Sequence, residues 1–204
     1  MGTAMESLRA TQMIGGNGER DRRPTDLYPT PPDVTEALLR FLDIPSFFRV
    51  WDPAAGEGDM ARQISAHGHT VYESDIMTGT DFLAVDGPPN ADLWLPCDWI
   101  ITNPPFALSE QFIRHANELV HPFAMLLKSQ YWHASKRLRL FREVRPDYVL
   151  PLTWRPNFYF KEEHGGAPLM DVMWCVWSAE NGRKSHQPTI FKPLERPKMR
   201  EENP

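Results

Sequence analysis

An asparagine, two prolines and a phenylalanine, Asn103 to Phe106, directly follow the apolar run Trp99 to Thr102. Two prolines end a strand by removing N–H donors, which alone accounts for Pro104 and Pro105. It does not account for the polar side chain before them or the aromatic ring after them. The asparagine carbonyl and the Pro104 backbone carbonyl are two acceptors that match the two N–H donors of an exocyclic amine, and Phe106 offers a face for a planar base. These residues therefore predict a site for a planar amine.

A glycine-containing turn, Asp52-Pro-Ala-Ala-Gly-Glu-Gly58, lies between a predicted strand and the helix after it. Glycines let the backbone turn tightly and approach a ligand at the carboxyl edge of a sheet. An ordinary strand-to-helix turn has the same pattern and is an equally good interpretation of it. The acids Asp52, Glu57 and Asp59 would repel a pyrophosphate, so the turn favours a nucleoside cofactor without phosphate.

Two acids, Glu73 and Asp75, close the next predicted strand. A carboxylate at the end of the second strand of such a fold can accept hydrogen bonds from both ribose hydroxyls. Either acid can do this. We favour Asp75, because it takes the final position, where the loop opens toward the cleft.

Hydrophobic periodicity along the chain alternates between strands and helices. Strands are predicted at 47–52, 69–75, 99–102, 123–127, 148–152 and 171–177, and helices at 33–42, 59–67, 135–144 and after a capping Ser109. This alternation predicts a Rossmann-like, doubly wound, mostly parallel sheet. The last two strands have only loop between them, which predicts an antiparallel strand near the C-terminal end. Residues 77–97 contain no convincing third strand.

The length of 204 residues and a hydrophobic content of 41% predict one domain with a real core. We expect a flexible N-terminal arm (1–27), a single folded domain (28–192) and a charged, proline-rich flexible tail (193–204). The chain has neither a secretory signal nor an apolar run of the ~20 residues that a membrane span requires, and this predicts a cytoplasmic protein. Cys97 and Cys175 fit no disulfide or metal pattern and are predicted to be buried free thiols. The histidines have no ligand spacing, so no metal is expected.

The formal net charge of −5 argues weakly against a nucleic-acid partner, but the charges are unevenly distributed. Six acids and no Lys or Arg lie between Glu73 and Asp98, whereas six basic residues and one acid lie between Lys128 and Arg145. Lys136, Arg137, Arg139 and Arg142 could contact phosphates. A solvated helix face has the same pattern, and we slightly favour that interpretation.

Five short motifs resemble those of one enzyme family, and their order along the chain is the one expected for that family. Asn103 to Phe106 resembles the catalytic motif of the S-adenosylmethionine-dependent amino-methyltransferases that modify adenine N6 or cytosine N4, and Asp52 to Gly58 resembles their first cofactor motif. Asp81-Phe82 resembles the pair around the cofactor adenine, in which the acid accepts from the amino group and the aromatic ring stacks. Tyr28 to Pro32 resembles the segment that contacts the methionine half, and its place ahead of the cofactor turn is the gamma-group order. Arg155 to Phe158 resembles the segment whose aromatic ring packs on a flipped base.

The resemblance covers about Tyr28 to Trp177 and implies S-adenosylmethionine as cofactor and N6 of adenine in DNA as methyl acceptor. It implies catalytic roles for Asn103, Pro104, Pro105 and Phe106, and substrate contacts from Phe106 and Phe158. Phe158 is equally consistent with a core position. The implied cofactor-binding residues are Tyr28, Thr30, Pro31, Asp52, Pro53, Ala54, Gly56, Gly58, Asp75, Ile76, Asp81, Phe82 and Asn103.

Three alternatives remain open. RNA adenine methyltransferases share these motifs, and the chain leaves no room for the separate target-recognition domain of large DNA-modifying members. A protein glutamine methyltransferase would also carry Asn-Pro-Pro, usually followed by Tyr, after a sizeable helical domain; only 27 residues precede Tyr28. A cofactor-binding module without activity would not need the acceptor pair at Asn103 and Pro104.

Overall fold

Strands and helices alternate in the computed structural model as they do in the sequence pattern. The structure describes residues 28–89, 97–158, 170–178 and 188–199. The helices are α1 (Pro32–Leu42), α2 (Asp59–Ala66), α3 (Ser109–Glu118) and α4 (Arg137–Glu143). The strands are β1 (Arg49–Asp52), β2 (Thr70–Glu73), β3 (Trp99–Thr102), β4 (Phe123–Lys128), β5 (Tyr148–Pro151), β6 (Val172–Trp177) and β7 (Ile190–Phe191).

The strands form one sheet in the order β2-β1-β3-β4-β6-β5-β7. The pairs among β2, β1, β3 and β4 are parallel, and β5 is parallel to β7. Strand β6 is antiparallel to both of its neighbours, β4 and β5. The predicted mostly parallel sheet with an antiparallel strand near its C-terminal end is therefore confirmed.

Alternate residues of each strand point to opposite faces of the sheet. Helices cover both of these faces. Ile101 and Leu126 belong to a core that also contains the apolar side chains of α1 and α2. Their neighbours Ile100 and Met125 belong to a second core, with the apolar side chains of α3 and α4. The central strands β1, β3, β4 and β6 are thus buried. The carboxyl ends of the parallel strands are left as the natural place for a ligand.

The tryptophans of β6 connect the sheet to its two layers of helices. Trp174 is completely buried and donates from Nε1 to the carbonyl of Val34 in α1 at 3.0 Å. Trp177 donates to the carbonyl of Val144, just after α4, at 3.1 Å and stacks on Phe123 at a centroid distance of 4.4 Å. Both are core residues.

The chain between β2 and β3 has no third strand among its described residues. It forms short 3-10 turns at Ile76–Thr78 and Phe82–Ala84. In each turn the preceding aspartate accepts a hydrogen bond from a backbone N–H two residues later. This side-chain capping fixes a loop, rather than a strand, after β2.

The C-terminal segment differs from the flexible tail expected from Pro193 onward. Leu194 donates its N–H to the Pro151 carbonyl at 2.8 Å, and its own carbonyl accepts from the Thr153 N–H at 3.1 Å. Arg196 forms an ion pair with Asp33 of α1 at 2.8 Å. The Leu194 bonds extend the pairing of β7 with β5, and the Arg196 ion pair joins the following residues to α1. The predicted arm at 1–27 and the end of the tail at 200–204 lie outside the described residues.

Ser109 is not the helix cap that the sequence suggests. It is the first residue of α3, with Leu108 in the cap position, and its side chain makes no capping bond. Its Oγ instead donates to the carbonyl of Phe106 at 3.1 Å. The hydroxyl turns back because the Pro-Pro-Phe turn before it presents carbonyl oxygens, and it thereby fixes the start of α3 to that turn. No helix in the described part of the chain is long and apolar enough to cross a membrane.

Candidate active site

A cavity of about 570 Å³ opens at the carboxyl ends of β1, β2 and β3. Its size lies in the range of small-molecule and cofactor sites. Five carboxylates line it: Asp52, Glu57, Asp59, Asp75 and Asp81. No Lys, Arg or His among the described residues is part of this lining. Such a lining favours a cationic ligand and repels a phosphate.

Most of the site residues predicted from the sequence meet at this cavity. Those that line it are Tyr28, Thr30, Asp52, Pro53, Ala54, Gly56, Asp75, Ile76, Asp81, Phe82, Asn103, Pro105 and Phe158. Four predicted residues do not line it: Pro31, Gly58, Pro104 and Phe106. Each of them is adjacent in sequence to a residue that does. The predicted motifs thus converge on one place from six separate parts of the chain.

The turn after β1 depends on glycine. Gly58 has a φ of 76°, in the left-handed region, and a Cβ there would lie 2.6 Å from Oε2 of Glu73. A larger residue would therefore be strained by this backbone conformation, and the end of the Glu73 side chain would have to shift to make room for it. Gly56 also has a positive φ, 54°, and donates its N–H to Oδ2 of Asp75 at 2.9 Å.

Asp75, and not Glu73, faces the cavity. Its side chain is buried, and its two oxygens accept from the N–H groups of Gly56 and Met77, both at 2.9 Å. A carboxylate has about four acceptor positions, so each oxygen can still accept one more hydrogen bond. Glu73 is exposed, lies against Gly58 and is not part of the lining. The geometry therefore agrees with the preference for Asp75 as the ribose acceptor.

Asp52 is a buried acid at the end of β1. Its Oδ1 accepts from Oγ1 of Thr102 in β3 at 2.7 Å and from the N–H of Ala54 at 3.3 Å. Burial raises the pKa of Asp52 to about 7, against the effect of these two hydrogen bonds, and the nearby charges of Glu73 and Asp75 raise it further. The strand ends are thus joined through a carboxyl group that lacks a cation partner among the described residues.

The Asn103 side chain has a fixed orientation at the end of β3. Its Nδ2 donates to the carbonyl of Tyr28 at 3.3 Å and to Oγ1 of Thr30 at 3.1 Å. Both N–H donors of the amide are used, and no described residue donates to its Oδ1. The side-chain carbonyl is therefore the part of Asn103 that remains for a ligand at the cavity.

The aromatic rings of Tyr28, Phe106 and Phe158 form a group, of which Tyr28 and Phe158 line the cavity. The Tyr28 ring lies 6.0 Å from that of Phe106 and 6.2 Å from that of Phe158, measured between centroids. Phe106 is half-buried, whereas Phe158 is 2% exposed and belongs to the core while also lining the cavity. Phe158 is thus both core and cavity wall, and Phe106 keeps part of its surface accessible.

The opposite end of the cavity is apolar. Phe82 is buried, with its ring 5.2 Å from Trp51 and 4.7 Å from Phe112. Ile76 is 66% exposed and lines the same cavity, which is an unusual position for a large aliphatic side chain. Ile76 and Phe82 thus give this part of the lining an apolar surface.

Several lining residues were missed by the sequence analysis: Met60, Met77, Leu83, Leu108 and Phe112. Phe112 belongs to the core face of α3 and lines the cavity as well. Met77 is 70% exposed, and its position two residues after Asp75 was the available signal. Apolar side chains of this kind have no motif, because only the fold brings them to the cavity.

The two cysteines lie outside the lining of the cavity. Cys97 and Cys175 are buried free thiols, as predicted, and burial raises the pKa of each to about 12. Both therefore stay protonated near neutral pH and are inert. Within the described residues, no group of three His, Cys, Asp or Glu side chains could hold a metal ion.

Two arginines of the basic segment from Lys128 to Arg145 form ion pairs with acids of α3 and α4. Arg137 has a side chain only 13% exposed and forms an ion pair with Glu110 of α3. Arg139 pairs with Glu143 at 2.7 Å, and Arg114 links Glu143 to Glu110. These ion pairs join α3 to α4, which supports the interpretation of a structural helix face for Arg137 and Arg139.

No protein-family profile and no curated protein sequence matches the chain. Solved structures are similar to it in fold. A protein from Listeria monocytogenes assigned as a class I S-adenosylmethionine-dependent methyltransferase has a TM-score of 0.53 and 12% identity, over 93% of this chain and 71% of that one. The 23S rRNA methyltransferase ErmE has a TM-score of 0.51 and 14% identity, over 76% of this chain and 71% of that one.

A third similar structure is a modification subunit assigned to a type I restriction enzyme from Vibrio vulnificus. Its TM-score is 0.50 with 12% identity, and the match covers 85% of this chain and 47% of that one. At these identities the likeness concerns the fold. This chain has the Rossmann-like fold of the class I methyltransferases.

The buried carboxyl group of Asp52 predicts a pH dependence of stability without ligand. Its pKa is about 7 in the folded protein and near 3.8 in the unfolded chain. The folded state binds the proton more tightly, so this group's contribution to stability is lost as pH rises from about 4 to about 7. Asp52→Asn removes the charge and keeps an acceptor for Thr102. The free energy of unfolding of the wild type should fall relative to this variant by about 1 to 3 kcal/mol between pH 5 and 8.

Urea unfolding of the two proteins at several pH values measures this difference. All other titrating groups are common to both, so the difference isolates Asp52. A constant difference across that range would mean that Asp52 is ionised in the folded protein throughout.

Proposed function

We propose that this protein is an S-adenosylmethionine-dependent methyltransferase that acts on an exocyclic amino group, N6 of adenine in DNA. The orientation of Asn103 carries the proposal. Its amide nitrogen is bound by Tyr28 and Thr30, which leaves its carbonyl as an acceptor at an acid-lined cavity. A target amine has the N–H donors that this acceptor requires.

The lining of the cavity fits the proposed cofactor. S-adenosylmethionine is cationic at its sulfonium and amino groups and has no phosphate, which suits a site with five carboxylates. Asp75 would accept from the ribose hydroxyls, and Ile76 and Phe82 would flank the adenine with Asp81 at its amino group. Tyr28, Thr30 and Asp52 would hold the methionine half. When bound, the cofactor supplies a methyl group on a positively charged sulfur.

The protein's own task is to position and polarise the target amine. Asn103 would accept a hydrogen bond from one N–H and the Pro104 carbonyl from the other, drawing the nitrogen lone pair out of conjugation with the base. Both acceptors are rigid, one through the bonds of its amide and the other through the proline rings. Acceptors fixed before the reaction need no reorganisation during it, which is how such groups lower a barrier.

A base inside a duplex cannot reach this cavity, so the target nucleotide must be flipped out or be single-stranded. Phe106, half-buried beside Asn103, and Phe158 provide faces for the extruded base. Structures of similar fold include a modification subunit and an rRNA methyltransferase. Adenine in DNA is the acceptor we propose, and adenine in RNA and glutamine in protein are the acceptors to test against it.

The cofactor assignment predicts a selective stabilisation. S-adenosylmethionine, or its demethylated product, should bind and raise the melting temperature with concentration, because a ligand of the folded state stabilises it by mass action. NAD should not, because its pyrophosphate would face the five carboxylates. Calorimetric titration with each compound is the measurement. Binding of NAD without binding of S-adenosylmethionine would remove the basis of the proposal.

Two substitutions should separate catalysis from cofactor binding. Asn103→Ala removes an acceptor for the amine, and loss of one such contact costs on the order of 10²-fold in turnover with little change in cofactor affinity. Asp75→Asn removes a charged acceptor, worth about 1.5 to 3 kcal/mol, so cofactor binding should weaken roughly ten- to hundredfold. Activity of this second variant should return in part at saturating cofactor.

The assay uses labelled cofactor with unmodified DNA, RNA and protein as acceptors, and calorimetry gives the cofactor affinity of each variant. Both variants should keep a cooperative thermal transition, which shows that they fold. Full turnover of Asn103→Ala on every acceptor that the wild type methylates would show that the catalytic assignment is wrong.

A further inference from the structure

A lysine lies beside the candidate site at the carboxyl end of β4. Nζ of Lys128 is 4.6 Å from the centroid of the Phe106 ring. That ring is in turn 6.0 Å from Tyr28, which lines the cavity. An ammonium group over an aromatic face is attracted by the ring quadrupole and keeps its charge. A positive charge is therefore held one ring away from the cavity.

This charge contrasts with the acidic lining of the cavity. Five carboxylates line it, and the whole chain has a formal net charge of −5. A nucleic acid that approaches such a site meets repulsion unless a cation lies near the rim. Lys128 lies where such a cation is needed.

Two other cations of the same basic segment are less suited to this task. Arg137 is nearly buried, forms an ion pair with Glu110 and lies over the ring of Tyr131 at 4.4 Å. Arg139 is neutralised by Glu143. Their charges serve the packing of α3 against α4, whereas the Lys128 ammonium lies over a residue of the catalytic motif.

We propose that Lys128 is a substrate-positioning residue that binds the phosphate adjoining the target nucleotide. The inference rests on the proposed function. The ammonium lies over the ring on which the extruded base would stack, so a phosphate attached to that nucleotide comes within reach of the flexible lysine side chain. A base that stacks on Phe106 displaces the Lys128 ammonium from the ring. The displaced ammonium then binds the phosphate.

Lys128→Gln tests this with a matched control. Lys192 also holds its Nζ over an aromatic ring, that of Phe41 at 5.2 Å, but away from the cavity. Lys128→Gln should raise KM for the nucleic acid roughly tenfold with kcat nearly unchanged, and lower the slope of log affinity against log salt by about 0.7 to 1, the value of one phosphate contact. Lys128→Arg should restore both quantities, and Lys192→Gln should change neither.

Calorimetric affinity for S-adenosylhomocysteine shows whether the Lys128→Gln protein retains an intact cofactor pocket, as we expect. A wild-type salt slope and KM in that variant would overturn this inference alone, since turnover on nucleic acid would still support the proposed function. Equal losses in Lys128→Gln and Lys192→Gln would overturn it as well, because they would reflect net charge. A wild type that methylates no nucleic acid would overturn the proposed function, and this inference with it.

Discussion

The direction of one amide group depends on a segment that lies 73 residues earlier in the chain. The Asn103 side chain has a donor end and an acceptor end, and its surroundings decide which end faces the cavity. The Tyr28 carbonyl and the Thr30 hydroxyl both lie on the nitrogen side. The oxygen is thereby left for a ligand, and the chemistry of the site depends on this arrangement.

The carboxyl ends of β1, β2 and β3 are connected through two carboxylates, Asp52 and Asp75. The packing of the fold does not require these charges. Asp75 binds the Gly56 turn, and Asp52 binds Thr102 across from β1 to β3. The second contact has an energetic cost, because burial raises the pKa of Asp52 to about 7. A cationic ligand would reduce this cost, so an unfavourable charge in the ligand-free protein becomes a favourable contact in the complex. Features that oppose stability in this way are typical of functional sites.

The sequence predicts the elements whose signal is local. Strand β3 has the bounds predicted for it, because three apolar residues and the β-branched Thr102 lie between polar Asp98 and Asn103. Strand β7 was missed, since Ile190 and Phe191 are exposed and their pairing with β5 is a property of the fold.

Contacts between distant residues could not be predicted either. The preference for Asp75 over Glu73 had no decisive pattern behind it, and the bond from Gly56 supplies the geometric reason. The charge count around Arg137 did not show its pairing with Glu110, 27 residues away. The motifs therefore predict the main chemical groups that line the cavity. The hydrogen-bond and ion-pair partners of such groups follow only from the structure.

The most direct test of this account is the turnover of Thr30→Val at saturating cofactor, on the nucleic acid that the wild type methylates fastest. The variant keeps the shape of Thr30 and removes one acceptor of the Asn103 amide. A neutral hydrogen bond is worth about 0.5 to 1.5 kcal/mol, so turnover should fall roughly two- to tenfold. Thr30→Ser, which keeps the hydroxyl, should restore it. Wild-type turnover in Thr30→Val would contradict the claim that the orientation of this amide controls the chemistry.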